Sequence, residues 1–165
     1  MGATSRLGLP LLASGQAQKE LFHNESLQIL DVLVGAAVDE PPRSQPPAGP
    51  TPGACYIVAA SPSGEWANRA HRIAAFTTAG WRYLDPREGM TALIRSTGQT
   101  AFYRSGAWQL GVVECARVDV GGTTVVRSRR PAISNPVGGD SIDDEGRAAI
   151  VAILSALRAH GLIEV

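Results

Sequence analysis

With 165 residues, 44% of them apolar and 18% charged, and a formal net charge of zero, the chain is long enough for one ordinary domain. It lacks the excess of positive charge that displaces counterions from a nucleic acid. A neutral, weakly charged surface resists self-association poorly, which favours a chain that lives in an assembly.

Residues 1–38 read as an attachment or oligomerisation region. After an extended start, Leu7-Gly8-Leu9-Pro10-Leu11-Leu12, the positions Ala17, Leu21, Leu27, Leu30, Val34 and Ala37 fall on roughly one side of a helix. That helix either runs from about Ser14 or restarts at Glu25 with Asn24 as its cap, and Gly35 weakens its end. Residues 39–53 hold six prolines in fifteen positions. Such a stretch cannot be helix and lacks donors for a sheet interior, so it reads as a semi-rigid linker.

Residues 54–126 are predicted as a small antiparallel β-domain, barrel or sandwich. Candidate strands are Ala54–Ala60, Arg72–Thr77, Gly80–Leu84, Thr91–Arg95, Thr100–Arg104, Ala107–Gly111 and Val112–Val120, separated by short glycine-bearing turns. Residues 127–165 are a connector and a C-terminal helix. Asp140 or Ser141 can cap this helix, Asp143, Asp144 and Glu145 lie at its positive end, and Gly161 can stop it. Its stripe Ile150, Ile153, Leu154 and Leu157 must dock, either on its own β-domain or around a symmetry axis with copies of itself. The fold class expected is therefore α+β, with an N-terminal helix, a β-domain and a C-terminal helix, in a homo-oligomer.

Chemistry is sparse. His23, His71 and His160 are not at metal-ligand spacing, and no Gly-x-Ser-x-Gly or phosphate-binding loop occurs. No catalytic, cofactor or metal residue is expected. Asp85, Glu88 and Glu114 remain for glycan cleavage only by elimination, since that reaction needs two carboxylates across a cleft. Cys55 and Cys115 each lie in an apolar run and read as buried free thiols in strands. Arg127, Arg129 and Arg130 read as a solvated or interface patch.

The aromatics are the informative set. Each tryptophan follows a turn glycine: Gly64-Glu65-Trp66, Gly80-Trp81 and Gly106-Ala107-Trp108. Such an arrangement closes a hairpin onto a core, or presents a ring face to a sugar. Alternation puts Trp81 and Tyr83 on one face and sends Phe102 and Tyr103 to opposite faces. Most of these rings are expected in the core. Tyr103 and Trp108, and behind them Trp66, are the candidates for a carbohydrate platform.

The ordered blocks resemble a known family. Leu7-Gly8-Leu9-Pro10-Leu11-Leu12, then Gln16-Ala17-Gln18-Lys19-Glu20 and Asn24-Glu25, are similar to the N-terminal signature of an uncharacterised domain family of alphaproteobacterial phages, prophages and gene transfer agents. The likeness continues through Pro52-Gly53-Ala54-Cys55-Tyr56-Ile57-Val58, Gly64-Glu65-Trp66-Ala67, Gly80-Trp81-Arg82-Tyr83, Pro86-Arg87-Glu88-Gly89 and Tyr103-Arg104-Ser105-Gly106-Ala107-Trp108, over about residues 5–110.

The resemblance implies a virion component, a head spike or tail fibre subunit that helps a particle attach to its host. Its partners would be copies of itself (a trimer or pentamer), other virion proteins and host capsular polysaccharide. Such a chain is made in the bacterial cytoplasm and then built into the particle. The alternatives are a polysaccharide-binding module and, less favoured, a glycan-cleaving enzyme. No run of about eighteen apolar residues occurs, so membrane insertion is not expected, and residues 1–7 lack the apolar core of a signal peptide.

Overall fold

The computed structural model describes residues 2–13, 15, 19–139 and 143–164. It is α+β and falls into two compact units, Met1–Val112 and Val113–Val165. The four segments read from the sequence are thus replaced by a single boundary, after Val112. The reason lies in how residues 2–53 are bonded to the strands.

The extended start folds back on itself. Leu11 N–H donates to the Gly2 carbonyl at 2.8 Å, and Thr4 N–H to that of Leu9 at 3.0 Å. Helix α1 (Lys19–Leu33) then carries the polar groups that hold this turn. Buried Asp31 accepts from the Thr4 hydroxyl at 2.7 Å, Arg6 N–H at 2.9 Å and Leu7 N–H at 2.6 Å. Arg6 in return donates from Nη1 to the carbonyls of Asp31 and Val32, and from Nη2 to that of Gly35. It thereby satisfies the open carbonyl end of α1 with a cation. Asn24 starts no second helix. From within α1 its amide donates to the Leu12 carbonyl at 3.0 Å and accepts from the Leu12 N–H at 2.9 Å. A start at Ser14 and the placement of Ala17 lie outside the described residues. Gly35, at φ +57°, turns the chain out of the helix.

The proline-rich stretch is a correction. It is no free linker, because it joins two sheets. Strand β1 (Ala37–Val38), absent from the sequence reading, pairs in parallel with β5 (Thr91–Ile94). At the next residue the chain has moved to the edge of β2 (Cys55–Ile57). Asp39 N–H donates to the Cys55 carbonyl at 2.9 Å, Arg43 N–H to that of Ile57 at 3.1 Å, and Ala59 N–H to that of Arg43 at 2.9 Å. Pro41 and Pro42 fall between the two donors this edge needs, which is where a sheet tolerates proline.

Strands β3 (Ile73–Thr77) and β4 (Gly80–Leu84) complete a sheet of order β2-β3-β4. The other sheet has the order β1-β5-β6-β7, with β6 (Thr100–Arg104) and β7 (Ala107–Leu110). All pairs except β1 with β5 are antiparallel within these two sheets. Their inner faces share one core: Val38, Ile57, Ile73, Leu84 and Ile94 meet there with Val32 of α1. This is sandwich packing with a helix on the core.

The second unit is built differently. Strands β8 (Val118–Val120) and β9 (Thr123–Val126) form an isolated hairpin. Its two-residue turn is Gly121-Gly122 at φ +57° and +80°, the positive angles such a turn requires. Only Val118–Val120 of the expected strand Val112–Val120 is extended in pairing, and β9, absent from the expected strands, forms the end of the segment 54–126. Helix α2 (Asp144–Ala159) is capped by Asp143, whose Oδ1 accepts from Gly146 N–H at 2.8 Å. Asp140 and Ser141, the expected caps, lie outside the described residues. Gly161, at φ +71°, ends the helix as expected. Past α2, Arg130 and Ile163 form a parallel bridge, and Arg129 Nε donates to the Ile163 carbonyl at 3.0 Å. Part of the arginine patch is therefore bonded within its own unit. No described helix is long and apolar enough to cross a membrane.

Candidate functional site

The aromatics divide into two sets, one on each sheet. On the outer face of β2-β3-β4, alternation brings out Tyr56, Phe76, Trp81 and Tyr83, while Cys55, Ile57, Ile73, Ala75 and Leu84 turn into the sandwich core. A single 3₁₀ turn, Gly64–Trp66, lies over that outer face and drops Trp66 into it. Trp66 is fully buried, with its ring centroid 5.2 Å from that of Trp81 and 5.9 Å from that of Tyr56. Edge-to-face contacts of this kind add to the burial of the rings themselves.

That placement corrects one expectation. Trp66 has no face left for a sugar, because the loop carrying it closes a second hydrophobic layer. Around this layer Arg69 covers the Tyr83 ring at 4.7 Å, and Arg43 lies 5.8 Å from the Tyr56 ring centroid. Burial, aided by Asp39 and Glu40, raises the Tyr56 phenol above its ordinary value despite Arg43. Burial and Glu65 raise the Tyr83 phenol against the pull of Arg69.

Tyr103 and Trp108 form the second set. They are paired across β6 and β7, so both side chains lie on one face, with centroids 5.3 Å apart and planes at 61°. Both are half-buried. Phe102 points to the other face and is also half-buried, so the adjacent pair leaves neither ring fully exposed. Trp108 also packs against the sandwich core, and its Nε1 donates to the His71 carbonyl at 2.7 Å.

His71, at φ +64°, is thus held in a backbone conformation that non-glycine residues rarely adopt. Together Trp108, His71, Pro42, Ala60 and Ala107 line a small apolar cavity of about 240 Å³. Sequence reasoning found Trp108 but missed His71 and Pro42 as its neighbours. Their convergence depends on a backbone carbonyl and on the refolded proline stretch, and neither leaves a pattern in the sequence.

The remaining candidates are engaged elsewhere. Asp85 pairs with Arg72 at 2.7 Å, and the Glu88 carboxylate accepts from Ser105 N–H at 3.1–3.2 Å. Glu88 thereby holds the Ser105-Gly106 turn between β6 and β7. Among the described residues no group of three or more His, Cys, Asp or Glu could hold a metal ion. The two cysteines differ. Cys55 is fully buried and its thiol is pushed up to about 11, chiefly by desolvation, whereas Cys115 is exposed. The expectation that both were buried in strands fails for Cys115, which lies before β8.

Residues 23–109 match a family described as a protein of unknown function, DUF2793. The chain belongs to the DUF2793 family. The match begins inside α1 and ends inside β7, so DUF2793 spans the two-sheet sandwich and its aromatic layer. No curated protein matches the chain. Within the DUF2793 region the ordered sequence blocks meet as structural clamps. Gly64-Glu65-Trp66 closes the outer layer, Glu88 holds the Gly106 turn, and Gly53 brings its backbone against Ser5. A Cβ at Gly53 would lie 3.1 Å from the Ser5 carbonyl oxygen.

Proposed function

We propose that this chain is a non-catalytic structural subunit of a phage or gene-transfer-agent particle, a head spike or tail fibre component that helps attach the particle to its host. The observation that carries the reading is the surface of residues 113–164. Among the described residues there, Leu154 and Ile163 are the only buried apolar side chains. Val118, Val120, Val125, Ile150 and Ile153 are all exposed. A two-stranded hairpin and one helix with so small a core have little stability of their own in water. Such a unit suits an assembly, in which neighbouring copies or other virion proteins cover the apolar surface. The neutral charge and the resemblance of the ordered blocks to those of particle-associated proteins support the same reading. Closed rotational symmetry is the natural arrangement, a trimer or a pentamer. Mass photometry of the purified chain is expected to give one of those masses, and immunogold labelling is expected to decorate particles. A monomer that is absent from purified particles would sink the proposal.

A second reading, a polysaccharide-binding module, is favoured by the Tyr103–Trp108 pair beside its small apolar cavity. Host capsular polysaccharide would then be the ligand, and Trp66 would have no part in it. Capsule pull-down by the wild-type chain, weakened by both Tyr103→Ala and Trp108→Ala, is the expected result. Two variants are needed because Trp108 also holds His71. No pull-down by the wild type ends this reading.

A further inference from the structure

The largest cavity among those described, about 490 Å³, is not the aromatic one. Its walls come from three stretches far apart in sequence: Ser5 and Arg6 of the N-terminal turn, Thr51 and Gly53 at the end of the proline stretch, and Asp39 with Arg95 where β1 and β5 end. Its volume falls within the range of small-molecule sites. Its charged lining consists of two guanidinium groups, those of Arg6 and Arg95, and one carboxylate, that of Asp39; the Asp31 carboxylate accepts from the Arg6 backbone N–H at 2.9 Å. Asp39 is already committed. Its Oδ1 accepts from Arg95 Nη1 at 2.6 Å, and its Oδ2 accepts from Cys55 N–H at 3.3 Å.

The donors on the other side of this balance are not all used. Arg95 contributes one N–H to Asp39, and its side chain remains 46% exposed. Arg6 uses Nη1 and Nη2 on the carbonyls ending α1, while its Nε is buried and has no hydrogen-bond partner. A buried donor without a partner calls for an explanation. The hydroxyl-bearing residues Ser5 and Thr51 add neutral polar groups to the walls. The charges of Arg6, Asp39, Arg95 and Asp31 all act on the Cys55 thiol, which places them in one electrostatic neighbourhood.

We propose that this cavity binds a carboxylate carried on a small polar body, the size of one acidic sugar or one acylated amino acid. The planar fork of Arg95 matches a carboxylate in two-point contact. The hydroxyls of Ser5 and Thr51 suit the polar body behind it. Leu7, Pro52 and Ala54 are the apolar residues of the lining, and no aromatic ring takes part, so an aromatic ligand gains little here. The site is independent of the assembly role and of the Tyr103–Trp108 pair.

The test is a ligand-observed NMR titration of the full-length chain with glucuronate and with N-acetylglycinate. Glucose and N-acetylglycinamide serve as neutral counterparts, and sulfate as a non-carboxylate anion. At least one carboxylate is expected to bind with a Kd tighter than about 10 mM, and its neutral counterpart is not. Whichever carboxylate binds more tightly names the source, sugar or amino acid. Arg95→Gln should weaken binding about tenfold or more, the loss expected when a hydrogen bond to a charged group is removed. This variant is expected to fold, because a partly exposed ion pair contributes little stability. Thr51→Val, which leaves every charge in place, should weaken binding about two- to fivefold, the effect of losing one neutral hydrogen bond. Arg87→Gln, away from the cavity, should leave binding unchanged. Absence of binding by both carboxylates overturns the proposal. So does equal binding of the neutral counterparts, binding of sulfate alone, or binding that Arg95→Gln and Thr51→Val leave intact.

Discussion

Residues 1–112 and residues 113–165 are built on opposite principles. The first unit has two hydrophobic layers, one between its sheets and one outside β2-β3-β4, and it completely buries Trp66, Ile57, Cys55, Val58 and Ile94. Its N-terminal turn is tied down by polar groups as well: Asp31 accepts three hydrogen bonds, and the Arg6 Nη atoms donate to the carbonyls that end α1. The second unit has a hairpin, a helix and a connector, held by arginine contacts to backbone carbonyls and by two buried apolar side chains among the described residues. The difference teaches that secondary structure alone says little about self-sufficiency. A capped helix and a well-formed hairpin still need apolar surface to bury before they are stable.

Removing the centre of the outer layer should break the stronger side of this contrast. Trp66→Ala is expected to destabilise residues 1–112 by about 3–5 kcal/mol, the usual range for truncating a buried large aromatic. The measurement is the urea midpoint followed by Trp81 and Trp108 fluorescence. A loss under about 1 kcal/mol would mean that the layer is not packed as described.

The cysteines supply a natural probe of the same contrast, with one in each unit. A thiol reagent at pH 8 should modify Cys115 rapidly and Cys55 only on unfolding. The raised Cys55 value also predicts a pH dependence. Its contribution to stability is complete below pH 9, where the thiol is protonated in both states. It is lost as the pH rises from 9 to about 11, because the unfolded thiol ionises first. Two pH units correspond to about 3 kcal/mol. The raised Tyr56 and Tyr83 phenols act in the same direction above pH 10. Urea unfolding at pH 8 and pH 10.5 should show the decline, and Cys55→Ala should flatten it between pH 9 and 10. An unchanged slope in that variant would assign the decline to other groups.

A smaller loss is expected where the N-terminal turn meets α1. Asp31→Asn keeps the shape but removes the charge that accepts from Thr4, Arg6 and Leu7, and should cost about 1–3 kcal/mol. Proteolysis within residues 2–12 should accelerate in step, since this side chain, with Asn24 and Arg6, holds that turn to α1. The smallest effect on folding belongs to the second unit. Val120→Ser, at an exposed strand position, should change chain stability by no more than about 0.5 kcal/mol. It should nevertheless lower the oligomer fraction seen by light scattering. A large loss of stability with assembly unchanged would show that the β8–β9 valines are not an assembly surface.

Much of the fold was legible in local pattern. Strands β4 and β6 have the bounds read from the sequence, because period-two alternation between two turns leaves no other choice there. The shared face of Trp81 and Tyr83 followed from the same period. Trp66 was misjudged for a physical reason: it belongs to no strand, and its burial depends on a loop crossing a sheet whose outer face it covers. The proline stretch was misjudged because composition reports missing donors. It does not report that the residues which donate to the strands, Asp39, Arg43 and Gly53, are none of them prolines. Asn24 reads from the sequence as a helix cap and Asp31 carries no signal of its own, because nothing nearby in sequence marks Leu12, Thr4 and Arg6 as their partners.

The sequence by itself determined the α+β class, most of the strands, the end of α2 at Gly161 and the family to which residues 23–109 belong. These are properties of periodicity, turn residues and ordered motifs, all of them local or linear. Only the tertiary structure decided that Trp66 is core and that Trp108 is tied to His71. It alone showed the prolines joining two sheets and brought Arg6, Asp39 and Arg95 to one cavity. These facts depend on contacts between residues far apart in the chain, which are set by how the sheets and the N-terminal turn pack against one another.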